Sequence, residues 1–434
     1  MLKKYFAFYC LLIVFFAACS PSKKISHAEQ NFLRDTAIKN AHAGVCIYDA
    51  AKNSYIYNYQ GGHYFTPASN TKLFTCYAAL KHLGDSITGL RYYDTPDTLY
   101  LLPTGDPTLL YRDFTVNPVL DFLKANNKPV SISNANWKDE RWGEGWSWDD
   151  YMGDYMAERS SMPVYGNIAH TQFTYDGSLH FSQEPNITNG VSYTINPDAK
   201  RPVVLRSINT DSFNIQYSLQ NSSWKDDVPF VTNGLNATVK LIGNKNWIIN
   251  NMPAVAYSNY KKLYSQPLDS MLKPMMYRSD NFYAEQSLLM VSNELLGYMN
   301  DAAIIDTLLK TDLKDLPQKP SWADGSGLSR FNLFTPEDFI TLLIKMKNEF
   351  GLQRMHNILP KGNTGTLENL YLKTGDNIFA KTGTLNGVVA LSGYLVCKSG
   401  RLIIFSVLVN NHTGRSAAVR KAIEQLITNV WEKY

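Results

Sequence analysis

A serine and a lysine lie three residues apart where a proline-containing turn runs into an apolar stretch. In TPASNTKLFTCYAAL, residues 66–80, they are Ser69 and Lys72. An alcohol becomes an effective nucleophile when a base removes its proton, and positions i and i+3 share one face of a helix. The pair therefore fits a nucleophile and its base. Serine is also a preferred residue at helix starts, so this motif alone is weak.

Two further short motifs follow along the chain. They are Ser279-Asp280-Asn281, at a predicted helix start, and Lys381-Thr382-Gly383, which leads into an apolar strand. Lys373-Thr374-Gly375 repeats the second tripeptide, but a turn pair follows it and not a strand, so we assign the motif to 381–383. Three motifs in this order are the signature of serine acyl-transfer sites. Singly, Ser279 could be a helix cap and Lys381 a solvated edge-strand lysine.

The chemistry predicts a role for each side chain. Lys72 can act as a base only when its pKa falls below the usual value of about 10.4, which burial or a nearby cation such as Lys381 would bring about. Lys381 would also hold a substrate carboxylate. Ser279 would pass a proton to the leaving group, and Asn281 would orient Lys72 and bind a substrate amide.

The tetrahedral intermediate needs backbone donors for its oxyanion. We expect the N–H groups of Ser69 and Thr384 to supply them. Thr382, Gly383 and Thr384 are the predicted substrate-binding residues.

Helices and strands from both ends of the chain must position these motifs. A helix is predicted from about Ser69 to Leu83 and a second from near 279–281. A third is predicted after Thr335, which resembles a capping box together with Asp338, with Pro336 at the first helical position. Short strands are expected in 43–60, and stronger apolar strands, followed by a final helix, towards the end of the chain. The predicted fold is α/β (α+β), with a five-stranded antiparallel sheet built from both termini and flanked by helices.

The middle of the chain has a different sequence pattern. Residues 85–270 alternate short β-rich runs with clusters of Asn, Gly, Pro and Asp, which indicates a large, mainly β insertion of one or two domains. We therefore predict a catalytic domain formed by 31–84 and 271–434 around this insertion.

The N-terminus predicts export from the cytoplasm. A basic start, an apolar run too short to span a membrane comfortably, and Phe16-Ala17-Ala18-Cys19 resemble a lipoprotein signal peptide over residues 1–18. Cys19 would then carry the lipid, with 19–30 as a polar tether, in a periplasmic protein anchored to a membrane. The alternative is a plain secretory signal cleaved near Ala18.

Composition excludes several other classes of protein. Apolar residues make up 44% and charged residues 18%, as in ordinary globular proteins, and the net charge of +4 gives no electrostatic case for nucleic acid as a partner. Cys46, Cys76 and Cys397 are scattered in apolar contexts, which predicts buried thiols and no disulfide framework. Neither the cysteines nor the histidines have metal-ligand spacing, so no metal or cofactor is expected.

The chain resembles the class C low-molecular-mass penicillin-binding proteins, which are D-alanyl-D-alanine carboxypeptidases and endopeptidases of peptidase family S13. The likeness covers most of the mature chain. Beyond the three motifs, it is carried by TGDPTL (104–109), GWSWDDYMGDYMAERSSMPVYGN (145–167), ADGSGLSRFN (323–332), GTLENLY (365–371) and AKTGTLNGVVALSGYLV (380–396).

The resemblance implies the penicillin-binding protein and serine β-lactamase-like fold. It also implies a periplasmic enzyme whose Ser69 attacks peptidoglycan stem peptides and is acylated by β-lactams. Residues 324–330 would form a loop that supports the site.

Two competing interpretations remain. One is a serine β-lactamase or esterase with the same fold, although the chain is far longer and no ExxxN loop follows residue 281. The other is a sensor that binds penicillin without turnover. Within the favoured family, the motifs do not decide between carboxypeptidase and endopeptidase activity.

Overall fold

The computed structural model describes residues 28, 30–220, 223–250 and 252–434. The predicted signal peptide, the lipidation site Cys19 and most of the tether therefore lie outside the described residues. The strands are β1 His42–Asp49, β2 Ser54–Tyr59, β3 Ser86–Asp94, β4 Leu99–Pro103, β5 Val130–Ser133, β6 Ile168–Tyr175, β7 Leu179–Glu184, β8 Gly190–Ile195, β9 Val203–Arg206, β10 Ser212–Tyr217, β11 Ser223–Pro229, β12 Trp247–Asn250, β13 Lys261–Pro267, β14 Ile378–Leu385, β15 Val388–Val396 and β16 Leu402–Asn410.

A short helical segment at 30–34 precedes β1. The longer helices are α1 Lys72–His82, α2 Pro118–Ala125, α3 Asn236–Ile242, α4 Leu268–Tyr277, α5 Asn281–Leu296, α6 Asp301–Lys310, α7 Pro336–Phe350, α8 Leu352–Ile358 and α9 Ser416–Lys433. In the part of the chain that the structure describes, no helix has the length and apolar character needed to cross a membrane.

Strands from the two ends of the chain form one antiparallel sheet in the order β14-β15-β16-β1-β2. β1 pairs with β16 along its whole length, from His42 opposite Asn410 to Asp49 opposite Ile403. This sheet confirms the predicted fold class. Because β1 lies inside the sheet and not at its edge, the two ends of the chain depend on each other.

Helices cover both faces of this sheet, which explains the continuous apolar sequence of β16. Ile403, Phe405 and Val407 face the cluster that α9 completes, whereas Ile404 and Leu408 face the cluster formed with α1, α4, α5 and α7. α7 begins with the predicted capping box: the Thr335 side chain accepts from the Asp338 N–H, and Asp338 accepts from the Thr335 N–H.

Between α1 and α4 the chain forms three smaller sheets. A mixed sheet has the order β12-β5-β4-β3-β13, and two three-stranded sheets have the orders β8-β10-β9 and β11-β6-β7. Most of the predicted short strands are present, but the run at 237–243, which was predicted as one of them, lies in α3 and its C-cap. The parallel pairs β4/β5, β5/β12 and β8/β10 were not predicted. The domain boundaries near 85 and 270 stay a prediction.

Candidate active site

Ser69 lies in a tight 3-10 turn, Ala68–Thr71, immediately before α1. The predicted helix therefore begins as an α-helix only at Lys72, and Ser69 is not its N-cap. Ala68 has φ 48°, a left-handed conformation that is uncommon for a residue with a side chain. The backbone thus turns sharply just before Ser69, and it places the hydroxyl at the start of a buried helix.

The Lys72 amine contacts three oxygen atoms. Its Nζ lies 3.0 Å from Ser69 Oγ, 2.6 Å from Asn281 Oδ1 and 2.7 Å from the Ser326 carbonyl oxygen. The last two are acceptors only, so they take two protons of the amine. When Lys72 is neutral, its lone pair is left for the Ser69 hydroxyl, which is the arrangement that a general base requires.

Burial lowers the pKa of Lys72 from its ordinary value to about 8. The negative charges of Asp324, Glu285 and Asp280 oppose this shift without cancelling it. Lys72 is fully buried, so water cannot solvate its ammonium form. A substantial fraction of the amine is therefore neutral at slightly alkaline pH.

The second motif surrounds the start of α5. Asp280 caps the helix by accepting from the Tyr283 N–H at 3.0 Å, so Ser279 is not the cap. Ser279 has φ 61° and lies before the helix. Asn281 occupies the first turn, and its Nδ2 donates to the Tyr155 carbonyl at 2.9 Å, which fixes its Oδ1 towards Lys72.

The third motif lies on β14, an edge strand of the five-stranded sheet. Lys381 is buried and donates to Ser279 Oγ at 2.9 Å and to the Thr382 carbonyl at 2.7 Å. Burial and the neighbouring Lys72 charge lower the pKa of Lys381 well below its ordinary value. An incoming carboxylate would stabilise the positive charge that this site disfavours when empty.

Gly383 brings β14 against the turn that carries Ser69. A Cβ atom built on Gly383 would lie 2.5 Å from the Pro67 carbonyl oxygen and 3.1 Å from the Asn70 nitrogen. Only a residue without a side chain allows this approach. Thr384 follows on the same strand, where its Oγ1 accepts from Arg420 Nη2 at 2.9 Å.

The structure thus forms two hydrogen-bonded groups: Lys72 contacts Ser69 and Asn281, and Lys381 contacts Ser279. By contrast, Lys373 of the repeated tripeptide is exposed on a loop beside α9. Within the described residues, no group of three or more His, Cys, Asp or Glu side chains is placed to hold a metal ion.

A loop at 323–332 packs against the turn that carries Ser69, with Gly327 close to the Ala68 carbonyl. Asp324 accepts from the N–H groups of Gly327 at 2.7 Å and Ser329 at 2.6 Å, and from Asn332 Nδ2 at 2.7 Å. Trp146, from the segment before β6, donates to the same carboxylate at 2.9 Å. These hydrogen bonds hold the loop together, and the Ser326 carbonyl accepts from Lys72.

Two contacts of the site were missed by the sequence analysis. The Ser326 and Tyr155 oxygens that hold Lys72 and Asn281 belong to the backbone, so residue type gives no signal for them. Glu285 was also missed, although its spacing of one helical turn from Asn281 could have drawn attention to it.

The chain is similar to known proteins over most of its length. The profile of the D-Ala-D-Ala carboxypeptidase 3 (S13) family matches residues 26–230 and 249–430. The D-alanyl-D-alanine carboxypeptidase of Actinomadura sp. (strain R39) is 28% identical over 90% of this chain and 82% of its own length. The D-alanyl-D-alanine carboxypeptidase DacB of Haemophilus influenzae is 23% identical over 86% of each chain.

A solved structure has the same fold. The crystal structure of penicillin-binding protein 4 (dacB) from Haemophilus influenzae superposes with a TM-score of 0.76 at 20% identity, covering 94% of this chain and 99% of that chain.

Proposed function

The chain belongs to the D-Ala-D-Ala carboxypeptidase 3 (S13) family, and on this premise we propose that it is a serine-type D-alanyl-D-alanine carboxypeptidase acting on peptidoglycan stem peptides. The observation that carries the proposal is the Lys72 amine, which lies 3.0 Å from Ser69 Oγ while two acceptors fix its remaining hydrogen bonds. The relatives whose names state this activity support the choice of substrate.

Acylation begins at Ser69. Lys72 takes the hydroxyl proton as Oγ attacks the carbonyl carbon before the terminal D-alanine. The negative charge that develops on the carbonyl oxygen is stabilised by the backbone N–H groups of Ser69 and Thr384. β14 is an edge strand, so part of its backbone is free of strand pairing and can face the substrate.

Collapse of the intermediate breaks the peptide bond. The nitrogen of the leaving D-alanine receives, through Ser279, the proton that Lys72 took from Ser69, which leaves Lys72 neutral; the Ser279 hydroxyl lies 2.9 Å from Lys381 Nζ. Water then attacks the ester, Lys72 removes a proton from the water and returns it to Ser69 Oγ, and the shortened stem peptide is released.

Substrate orientation comes from β14 and Asn281. Lys381 and Thr382 bind the terminal carboxylate, and the extended backbone at Gly383 and Thr384 lies alongside the peptide. Asn281 binds a substrate amide while it holds Lys72. β-Lactams enter by the same route and acylate Ser69.

The test compares Ser69→Ala with Ser399→Ala, a control at an exposed serine in the turn between β15 and β16. Purified sacculi are digested with each protein, and the muropeptides are separated. We expect release of D-alanine by the wild type and by Ser399→Ala, and none by Ser69→Ala. D-alanine release by Ser69→Ala would contradict the proposal, and split cross-linked dimers would add endopeptidase activity.

Benzylpenicillin separates this function from its two competitors. We expect a stable adduct on Ser69. Turnover of the adduct within seconds would identify a β-lactamase, and failure of the wild type to form a covalent adduct would favour a sensor that binds penicillin without turnover.

Attachment to a membrane rests on the sequence around Cys19. We propose that this cysteine carries the lipid and places the enzyme on the cell wall side of the membrane. Incorporation of labelled palmitate should be abolished by Cys19→Ser and retained by Cys10→Ser, which changes a cysteine inside the apolar run. Labelling that survives Cys19→Ser would overturn this part of the proposal.

A further inference from the structure

A buried carboxylate lies directly behind the proposed base. Glu285 is on α5, one helical turn after Asn281, and is 1% exposed. Its Oε1 accepts from the Ser326 N–H at 2.7 Å, and the carbonyl oxygen of the same residue accepts from Lys72 Nζ at 2.7 Å. Glu285 therefore fixes the residue that orients Lys72.

The loop that contains Ser326 does not bind this N–H by itself. Its internal clamp, Asp324, takes the N–H groups of Gly327 and Ser329, and leaves that of Ser326 to α5. On the other side of the loop, Thr75 Oγ1 of α1 donates to the Gly325 carbonyl at 2.6 Å. The loop is thus hydrogen-bonded both to α1, which carries Lys72, and to α5, which carries Asn281.

Arg159 is closer to two other carboxylates than to Glu285. Its guanidinium lies 2.5 Å from Asp301 and 2.7 Å from Asp139, but 3.4 Å from Glu285. Two closer carboxylates already neutralise Arg159. Burial and the Asp324 charge also raise the pKa of Glu285 to about 8, against the opposing effects of Arg159 and the Ser326 N–H. The shorter contact of Glu285 is thus the one with the Ser326 N–H, and not the one with the Arg159 guanidinium.

We propose that Glu285 is a positioning residue for the acylation step: it holds Ser326, and the Ser326 carbonyl in turn keeps the Lys72 amine aimed at Ser69. This inference rests on the proposed function, because it assumes that Lys72 removes the proton of Ser69.

Two substitutions distinguish the effect of the side-chain length at position 285 from the effect of its charge. Glu285→Gln keeps the length of the side chain and an acceptor oxygen, but removes the charge. Glu285→Asp keeps the charge, but its oxygen falls short of the Ser326 N–H by one methylene. The first-order acylation rate and the dissociation constant of the non-covalent complex are measured with benzylpenicillin at pH 9. Lys72 is mostly neutral there, since its pKa is about 8.

We expect Glu285→Gln to acylate within about threefold of the wild type, and Glu285→Asp to be slower by about tenfold or more. The dissociation constant should stay within about twofold in both variants, because Lys381 and Thr382 are unchanged. Thermal unfolding and near-UV circular dichroism establish that each variant is folded.

Glu294 provides the matched control. It is a second carboxylate on α5, and it pairs with Arg91 at 3.0 Å and Lys262 at 2.7 Å, away from Ser326. Glu294→Gln and Glu294→Asp should both acylate like the wild type.

The inference is overturned if Glu285→Asp retains the rate while Glu285→Gln loses it, if the two variants behave alike, or if the Glu294 pair is equally impaired. In each of those cases the wild type is still acylated, and the proposed function stands. A wild type that is not acylated contradicts the proposed function, and this inference with it.

Discussion

The same tripeptide occurs twice in this chain, and the two copies lie in opposite environments. Lys381-Thr382-Gly383 is part of β14, with its lysine buried against Ser279 and its glycine against the Ser69 turn. Lys373-Thr374-Gly375 lies in a loop, with its lysine exposed. The buried threonine of this copy donates to the Tyr371 carbonyl at 3.1 Å, which is a local turn contact.

An identical tripeptide therefore occupies different environments according to its place in the fold. The β14 copy is functional in our proposal because an edge strand presents it to a turn and a helix start from distant parts of the chain. The loop copy has the same side chains, but its lysine is exposed beside α9. Matched substitutions in the two copies can therefore test the site against an internal control.

Substitution of the two lysines should give the largest difference in acylation rate between the copies. Lys381→Met removes both the partner of Ser279 and the charge for the substrate carboxylate, so we expect benzylpenicillin acylation to fall by about a hundredfold or more. Lys373→Met should leave the rate within about twofold, as exposed substitutions usually do. The measurement is the second-order rate of labelling by fluorescent penicillin. Equal losses in the two variants would remove the distinction between the copies.

Substitution of the two glycines should affect different properties: activity for Gly383 and stability for Gly375. Gly383→Ala places a methyl group 2.5 Å from the Pro67 oxygen, so the Ser69 turn must move, and we expect a ten- to hundredfold loss of acylation. Gly375→Ala meets no atom within 4 Å but has φ 50°, so it should cost about 1 kcal/mol of stability with acylation unchanged. Labelling rates and thermal melts distinguish these outcomes. A Gly383→Ala enzyme with full activity would show that the close approach is not required.

The pH dependence of the acylation rate should be set by Lys72 of the first motif and should not change when the loop copy is altered. Lys72 accepts a proton only when neutral, and its pKa is about 8. Acylation should therefore rise with pH up to about 8, and fall by about tenfold for each pH unit below it. The Lys373→Met variant should give the same profile. A rate that is flat between pH 6 and pH 9 would exclude Lys72 as the base.

The threonines should show the smallest contrast. Thr382→Val removes a proposed donor to the substrate carboxylate, so we expect a three- to tenfold increase in the dissociation constant of benzylpenicillin. Thr374→Val removes the buried contact with Tyr371, so it should lower stability by about 1 kcal/mol with unchanged binding. Binding that weakens in Thr374→Val, and not in Thr382→Val, would reverse the assignment.

Sequence patterns predicted the parts of this fold that depend on neighbours along the chain. The Ser69 and Lys72 spacing, the Thr335 capping box and the apolar run of β16 each have a local physical cause, and the structure contains all three features. The five-stranded sheet followed because two strands at one end and three at the other had apolar faces to bury.

Contacts that depend on tertiary placement could not be predicted in this way. The oxygens that hold Lys72 and Asn281 are main-chain carbonyls of Ser326 and Tyr155, whose side chains carry no trace of this role. The cap of α5 is Asp280 and not Ser279, which the sequence left open as a possible cap; either residue type can cap a helix, and only the backbone at 279, with φ 61°, distinguishes them. The parallel pairs of the middle sheets likewise depend on crossovers that periodicity does not reveal.

The pairing of β1 with β16 affects the order in which the molecule can assemble. His42 meets Asn410 across the sheet, so a strand made at the start of synthesis must wait for one made near its end. Bringing such distant segments together carries a large loop-closure entropy, and folds of this kind form slowly. On a growing chain, the site that we propose around Ser69 is incomplete until β14 and the strands after it have been made, so we expect hydrolysis only from the nearly complete protein.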